Sequence, residues 1–153
     1  MIEDITDRKQ AEDDLRTLSR AVEQSPASIV ITDRDGNIEY VNPRFEQLTG
    51  YSRTEVIGGN PRILKSGTTP AETYRELWAT IGAGGEWRGE LCNRRKDGDL
   101  FWEQAAISAL KDDHGQVNHY IAVKEDITAR KQAEQAQAAL QEQLTQMQRM
   151  ESI

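Results

Sequence analysis

One passage of this chain occurs twice. Ile2-Glu3-Asp4-Ile5-Thr6-Asp7-Arg8-Lys9-Gln10-Ala11-Glu12 returns as Lys124-Glu125-Asp126-Ile127-Thr128-Ala129-Arg130-Lys131-Gln132-Ala133-Glu134, nine of eleven residues identical at a spacing of 122. That spacing is about the length of one small domain. The second copy is therefore expected to close a domain and open a helix. By symmetry, the first is expected to hold the last strand residues and exit helix of an upstream domain of the same type. In each copy Thr6 or Thr128 stands where a helix N-cap belongs, before a charged run rich in Ala and Gln.

The flanks read as helices at 1–24 and 128–153, around a domain at 25–127. From Arg8 to about Gln24, Ala11, Leu15, Leu18 and Val22 follow the four-three-four spacing of a coiled-coil seam. From Thr128 to Ile153 there is no Gly or Pro. Leu140, Leu144 and Met147 continue a seam there, which Ala133, Ala136, Met150 and Ile153 fit less regularly. A narrow apolar stripe on a polar helix needs a second helix to bury it. The expectation is parallel homodimerisation through both flanks, with folding back onto the same domain as the alternative.

Between the flanks the periodicity changes to strands and short helices. Strands are predicted at Ala27–Thr32 and Ile38–Val41, joined by the turn Asp33-Arg34-Asp35-Gly36-Asn37. A helix runs from Pro43 to Thr49 and stops at Gly50. Ser52 caps a short turn, and a longer helix begins at Pro70 and runs through Ile81. Three more strands follow, Trp87–Arg94, Leu100–Leu110 and Val117–Asp126, linked by Lys96-Asp97-Gly98 and Asp112-Asp113-His114-Gly115. This order predicts an α+β domain with a five-stranded antiparallel sheet, helices on one face and a pocket between them.

A net charge of −7 argues against nonspecific binding to nucleic acid or anionic lipid. No apolar run reaches bilayer length, and no signal-peptide core follows Met1. The single cysteine, Cys92, allows no internal disulfide and suits a reducing compartment. A cytoplasmic location without membrane contact is expected. No nucleophile with its base, phosphate-cradling glycine loop, carboxylate pair or Cys/His cluster suggests catalysis or a metal.

Several words resemble one family. Asp33-Arg34-Asp35-Gly36-Asn37-Ile38-Glu39-Tyr40-Val41-Asn42, followed by Phe45 and Leu48-Thr49-Gly50-Tyr51, resembles the opening of a PAS domain. Trp87-Arg88-Gly89-Glu90 and Asn93-Arg94-Arg95-Lys96-Asp97-Gly98 resemble its later strands. Glu125-Asp126-Ile127-Thr128 resembles the exit motif, where a strand hands over to a signalling helix. Gly58-Gly59-Asn60-Pro61-Arg62-Ile63-Leu64 resembles the segment carrying the photoactive cysteine of light-oxygen-voltage flavoproteins. Pro61 holds the cysteine's place, and Cys92 lies in another strand, so a cysteinyl–flavin adduct is not expected. Ser66-Gly67-Thr68-Thr69-Pro70, Tyr74 and Leu77-Trp78 resemble the redox-sensing PAS domains of nitrogen-fixation and methane-oxidation regulators, which bind FAD noncovalently.

The resemblance implies FAD rather than FMN. Haem is not expected, because related haem sensors take their ligand from the long helix, which here has no histidine. It also implies site residues. The Asn93 amide offers a donor and an acceptor to the ring edge, or else caps a turn. Glu103 either pairs with protonated flavin or a nearby cation, or faces solvent. Lys124 matches the last-strand position facing flavin N5. Trp78 either stacks near the ring or packs in the core, and Trp87 packs at a strand start while shielding a cofactor secondarily. Asn60 and Arg62, flanking Pro61, meet the ribityl or phosphate groups, or form surface contacts.

The C-terminal Gln146-Met147-Gln148-Arg149-Met150-Glu151-Ser152-Ile153 resembles the residues before a sensor kinase's phosphoacceptor helix. The expected whole is a non-enzymatic sensor fragment with an upstream PAS domain and a downstream kinase. A cofactor-free dimerisation relay or a small-metabolite receptor, in a kinase or a diguanylate cyclase, is the alternative.

Overall fold

The computed structural model of the chain describes residues 2–152. Ile153, the last expected seam position, lies outside the described residues. The elements run α1 (Ile2–Glu23), β1 (Ser28–Asp33), β2 (Ile38–Val41), α2 (Pro43–Thr49), α3 (Arg53–Val56), a 3₁₀ turn (Pro61–Leu64), α4 (Ala71–Gly82), β3 (Glu86–Arg94), β4 (Leu100–Lys111), β5 (Val117–Asp126) and α5 (Thr128–Glu151). The sheet has the order β2-β1-β5-β4-β3, and every pairing is antiparallel. This is the expected α+β architecture, with its short helices on one face of the sheet and a long helix at each end.

Local chemistry sets the boundaries. The Asp33 carboxylate accepts the backbone N–H groups of Asp35 and Asn37, and Gly36 takes φ +87 between them, which turns β1 into β2. Asn42 starts α2 by accepting from the Phe45 N–H, and Gly50 ends it in the left-handed region. Ser52 and Glu55 form a reciprocal capping box at α3.

Asn42 also ties the N-terminal helix to the sheet. Its side chain is fully buried, accepts from the Ile29 N–H, and donates to the carbonyls of Val22 and Ala27. Tyr40 adds a second tie, donating its hydroxyl to Glu23.

The two copies of the repeated passage adopt different structures. Lys124, Glu125 and Asp126 are strand and Thr128 begins a helix, whereas Glu3, Asp4 and Ile5 lie inside α1. Strand residues were expected in the first copy; in this structure it is helical, and Ile5 lies within α1. Thr6 is consequently mid-helix rather than an N-cap. Thr128 does not cap with its side chain either; the group that accepts from the first helical N–H is the Asp126 carboxylate.

The seam residues Leu15, Leu18, Leu140, Leu144 and Met147 are all exposed, and α5 buries none of its residues. Among the described residues no helix is long and apolar enough to cross a membrane. The core lies between the sheet and the short helices, in two clusters. One gathers Val30, Ile38, Val41, Phe45, Val56 and Leu64; the other gathers Leu77, Ile81, Trp87, Leu91 and Ala105.

Candidate functional site

Between these two clusters the inner face of the sheet does not close against the helices. It leaves a cavity of about 290 Å³ bounded by the β1–β2 turn, the 3₁₀ turn, α4 and strands β1, β3, β4 and β5. That volume is near the lower end of the ~300–1,000 Å³ usual for small-molecule sites. The two-residue alternation of strands aims Leu91 and Asn93, Ile107, and Tyr120, Ala122 and Lys124 into it.

The walls are apolar and aromatic. Trp78, on α4, meets Tyr120 edge to face at 6.3 Å between ring centroids. Gly36 is buried against both sides of the opening: a methyl group there would lie 3.1 Å from Asn60 Nδ2 and 3.6 Å from Trp78 Cη2. The exposed side chains of Arg62 and Lys65 line the same opening, with Asp35 opposite in sign.

At the inner end the polar atoms form one connected group. Asn93 Nδ2 donates to Glu103 Oε1 at 2.6 Å, and Lys124 Nζ lies 3.7 Å from that oxygen. Asn93, Glu103 and Lys124 are 3%, 1% and 6% exposed, so a carboxylate and an ammonium face each other away from bulk water. The register explains the meeting. Asn93 stands opposite Phe101, and Lys124 opposite Ala105, so Glu103 is the diagonal neighbour of both on the same face. Ser28, directly across from Lys124 on β1, is buried and its hydroxyl has no partner.

The loop after the 3₁₀ turn is fastened to β3 beside this group. Lys65 bridges Asn93 through the backbone, and Ser66 and Thr69 hydroxyls bond the Cys92 peptide. Tyr74 lies beneath, with Lys65 Nζ 4.0 Å from its ring centroid. Burial pushes the Tyr74 hydroxyl above its ordinary pKa, outweighing a hydrogen bond with Thr69.

The structure brings together Asn60, Pro61, Arg62, Trp78, Asn93 and Lys124 on the cavity wall. It places Glu103 behind the wall, reaching the cavity only through Asn93 and Lys124. Trp87 is outside as well: it packs with Leu77, Ile81 and Leu91 and folds over Gly89, where an added methyl would meet its ring at 2.5 Å. Cys92 alternates to the opposite face from Leu91 and Asn93 and is buried there. Tyr74, Tyr120 and Lys65 also line the cavity, and the sequence reading gave them no role. For Tyr120 the signal was available, since it stands four residues before Lys124 on the same strand face. Among the described residues no cluster of His, Cys, Asp or Glu is arranged to hold a metal.

From the cavity, β5 leads directly to the exit helix. Asp126 accepts the N–H and the hydroxyl of Thr128, and Thr128 Oγ1 accepts the Trp102 N–H at 2.9 Å. Arg95 lies 3.7 Å from Asp126 and 4.6 Å from the Phe101 ring centroid. One turn into α5, Lys131 pairs with Glu90 at 3.3 Å and sits 4.6 Å from the Trp102 ring centroid.

The profile of the family described as PAS domain matches residues 26–129. A nitrogen fixation regulatory protein of Klebsiella oxytoca is 41% identical over 107 residues, covering 70% of this chain and 22% of that protein. Blue-light-activated histidine kinase 1 of Erythrobacter litoralis is 33% identical over 119 residues, covering 76% of this chain and 33% of that protein. The chain thus spans a third or less of each relative. A solved light-oxygen-voltage domain, studied with a flavin analogue, superposes with a TM-score of 0.68 at 30% identity, covering 85% of this chain and 96% of that one.

Proposed function

The chain belongs to the PAS domain family, and from that premise we propose that it binds FAD in the cavity and passes redox or oxygen state to a histidine kinase through α5. As a PAS domain it is a sensory module of signalling proteins. The flavin assignment is supported by the likeness to a light-oxygen-voltage domain studied with a flavin analogue. The kinase output is supported by the blue-light-activated kinase relative.

The cavity residues fit such a ligand. Aromatic and aliphatic walls suit a flat ring system, and Asn93 and Lys124 supply a polar edge at its inner end. Arg62 and Lys65 put two cations at the opening, where a diphosphate would emerge, which favours FAD over FMN. A bound flavin supplies reversible electron transfer. The protein's part is to hydrogen-bond the ring edge through Asn93 and Lys124, to cover it with Trp78 and Tyr120, and to offer no thiol, Pro61 standing in the adduct position.

The observation that carries the reading is the double position of Lys124, on the cavity wall and two residues before the Asp126 cap of α5. A change of hydrogen bonding at Lys124 displaces β5 and with it the start of α5. In this reading residues 25–127 sense, while 1–24 and 128–153 pair with a second copy. They connect a PAS domain upstream to a kinase downstream, in the cytoplasm.

An absorption spectrum of the purified protein, with chromatography of any pigment released by heat, is the direct test. A flavin spectrum with released FAD is expected. A colourless protein that takes up no added FAD rejects the flavin reading.

A further inference from the structure

The buried group at the inner end of the cavity has an internal order. Glu103 Oε1 is 2.6 Å from Asn93 Nδ2 but 3.7 Å from Lys124 Nζ, so the carboxylate hydrogen-bonds the amide and only pairs electrostatically with the ammonium. A carboxylate is acceptor-only when ionised, and it therefore selects the NH₂ end of the Asn93 amide. That leaves Asn93 with Oδ1 as its acceptor and one remaining Nδ2 proton, and Oδ1 is the only acceptor the amide can offer the cavity. Lys124 has the opposite character. Neither neighbour takes its protons in a hydrogen bond, since Glu103 is too far and the Ser28 hydroxyl across from it is unpartnered.

We propose that Glu103 is a positioning residue that fixes the hydrogen-bonding polarity of the cavity, with an acceptor at Asn93 and a donor at Lys124. The matching ligand edge carries an N–H beside an acceptor atom, as in a planar lactam or imide heterocycle. This deepens the flavin reading and rests on it for the identity of the ligand. The polarity itself follows from three side chains on three strands, and the Lys65–Asn93 backbone bridge holds Asn93 in place.

Two measurements on the whole chain separate this inference from the flavin reading. The first compares FAD with FAD methylated at N3, the ring nitrogen that bears the imide proton. Wild-type protein is expected to bind FAD at least about tenfold more tightly, because the methyl group leaves buried Oδ1 unpaired. In Glu103→Gln, whose side chain offers both a donor and an acceptor, the preference falls to within about threefold. Equal binding of both flavins by the wild type overturns the polarity while leaving the flavin reading intact.

The second measurement needs no ligand. In the ¹⁵N–¹H spectrum of the apoprotein, one Asn93 Nδ2 proton is expected downfield and slow to exchange, and it returns to the ordinary amide range in Glu103→Gln. Should that variant not fold, Glu103→Leu/Lys124→Met removes both charges together and the same signal is read. An Asn93 resonance unchanged by loss of Glu103 overturns the positioning role. If the wild type takes up no FAD, the flavin reading fails and the amide signal alone decides this one.

Discussion

The Asp126 carboxylate accepts two hydrogen bonds from Thr128, from its N–H at 3.0 Å and its hydroxyl at 2.5 Å, so the last residue of β5 caps the helix that follows it. Burial raises the Asp126 pKa, but the Thr128 bonds and the nearby Arg95 outweigh it and hold the carboxyl below its ordinary value. A depressed folded pKa means stability that is present above the unfolded value, near pH 4, and lost as pH falls through the folded value. Acid is therefore expected to loosen the β5–α5 junction, read as a change in Trp102 fluorescence below about pH 4. Asp126→Ala should cost ~1 kcal/mol at neutral pH and flatten that response. An unaltered acid transition in this variant would count against the junction as the titrating site.

Glu103 and Lys124 are coupled by burial. Glu103→Ala leaves an ammonium at 6% exposure without its counter-charge, an expected loss of about 3–5 kcal/mol in urea unfolding. Glu103→Leu/Lys124→Met should recover most of it. Strict additivity of the two single variants would show that the pair does not interact.

Asn42 satisfies four backbone groups from full burial: the N–H of Ile29 and Phe45 and the carbonyls of Val22 and Ala27. Asn42→Ala strands several of them, for a loss on the order of 3 kcal/mol. Hydrogen exchange should quicken first at the α1–β1 connection. Loss confined to α2 would mean that its capping bond alone matters.

Trp87 depends on the absence of a side chain two residues away. Gly89→Ala puts a methyl 2.5 Å from its ring and should destabilise by about 1–3 kcal/mol in chemical denaturation. Trp87→Leu in the Gly89→Ala background should restore part of that loss. No recovery would place the strain elsewhere.

The proposed pairing of flanking helices predicts that Leu144→Asp, at an exposed position of α5, shifts sedimentation toward the monomer while the domain's melting is unchanged within about 0.5 kcal/mol. A wild-type protein that sediments as a monomer at every concentration removes the need for the seam.

What was legible in the sequence was local. The Asp33-to-Asn37 turn, the Pro43 start and Gly50 stop of α2, and the Ser52 cap each rest on a few adjacent residues, and the strands fall within a residue of their expected limits. The Asn93–Glu103–Lys124 group was legible only as three separate candidates. Its closure depends on the register of three strands, in which a one-residue slip would send Glu103 to the other face. Trp87 reads as packing at a strand start, and it does pack there, with Leu77, Ile81 and Leu91. Its secondary reading as a shield over a ligand could not be weighed by sequence, because only the room above Gly89 shows where the indole goes. Thr6 shows the limit of reading caps by letters, because a capping side chain is defined by where the chain leaves the helix.

The passage Glu-Asp-Ile-Thr is helical at its first occurrence and strand-to-helix at its second. At the second, Asp126 and Glu125 pair with Glu103 and Gln104 of β4, and that pairing takes the place of helical hydrogen bonds. Extending α5 back over Glu125, Asp126 and Ile127 would add three residues, about 4.5 Å of rod and a turn of roughly 300° at its far end. The pairing of Glu125 and Asp126 with β4 thus fixes where α5 begins, and with it the reach of the exit helix.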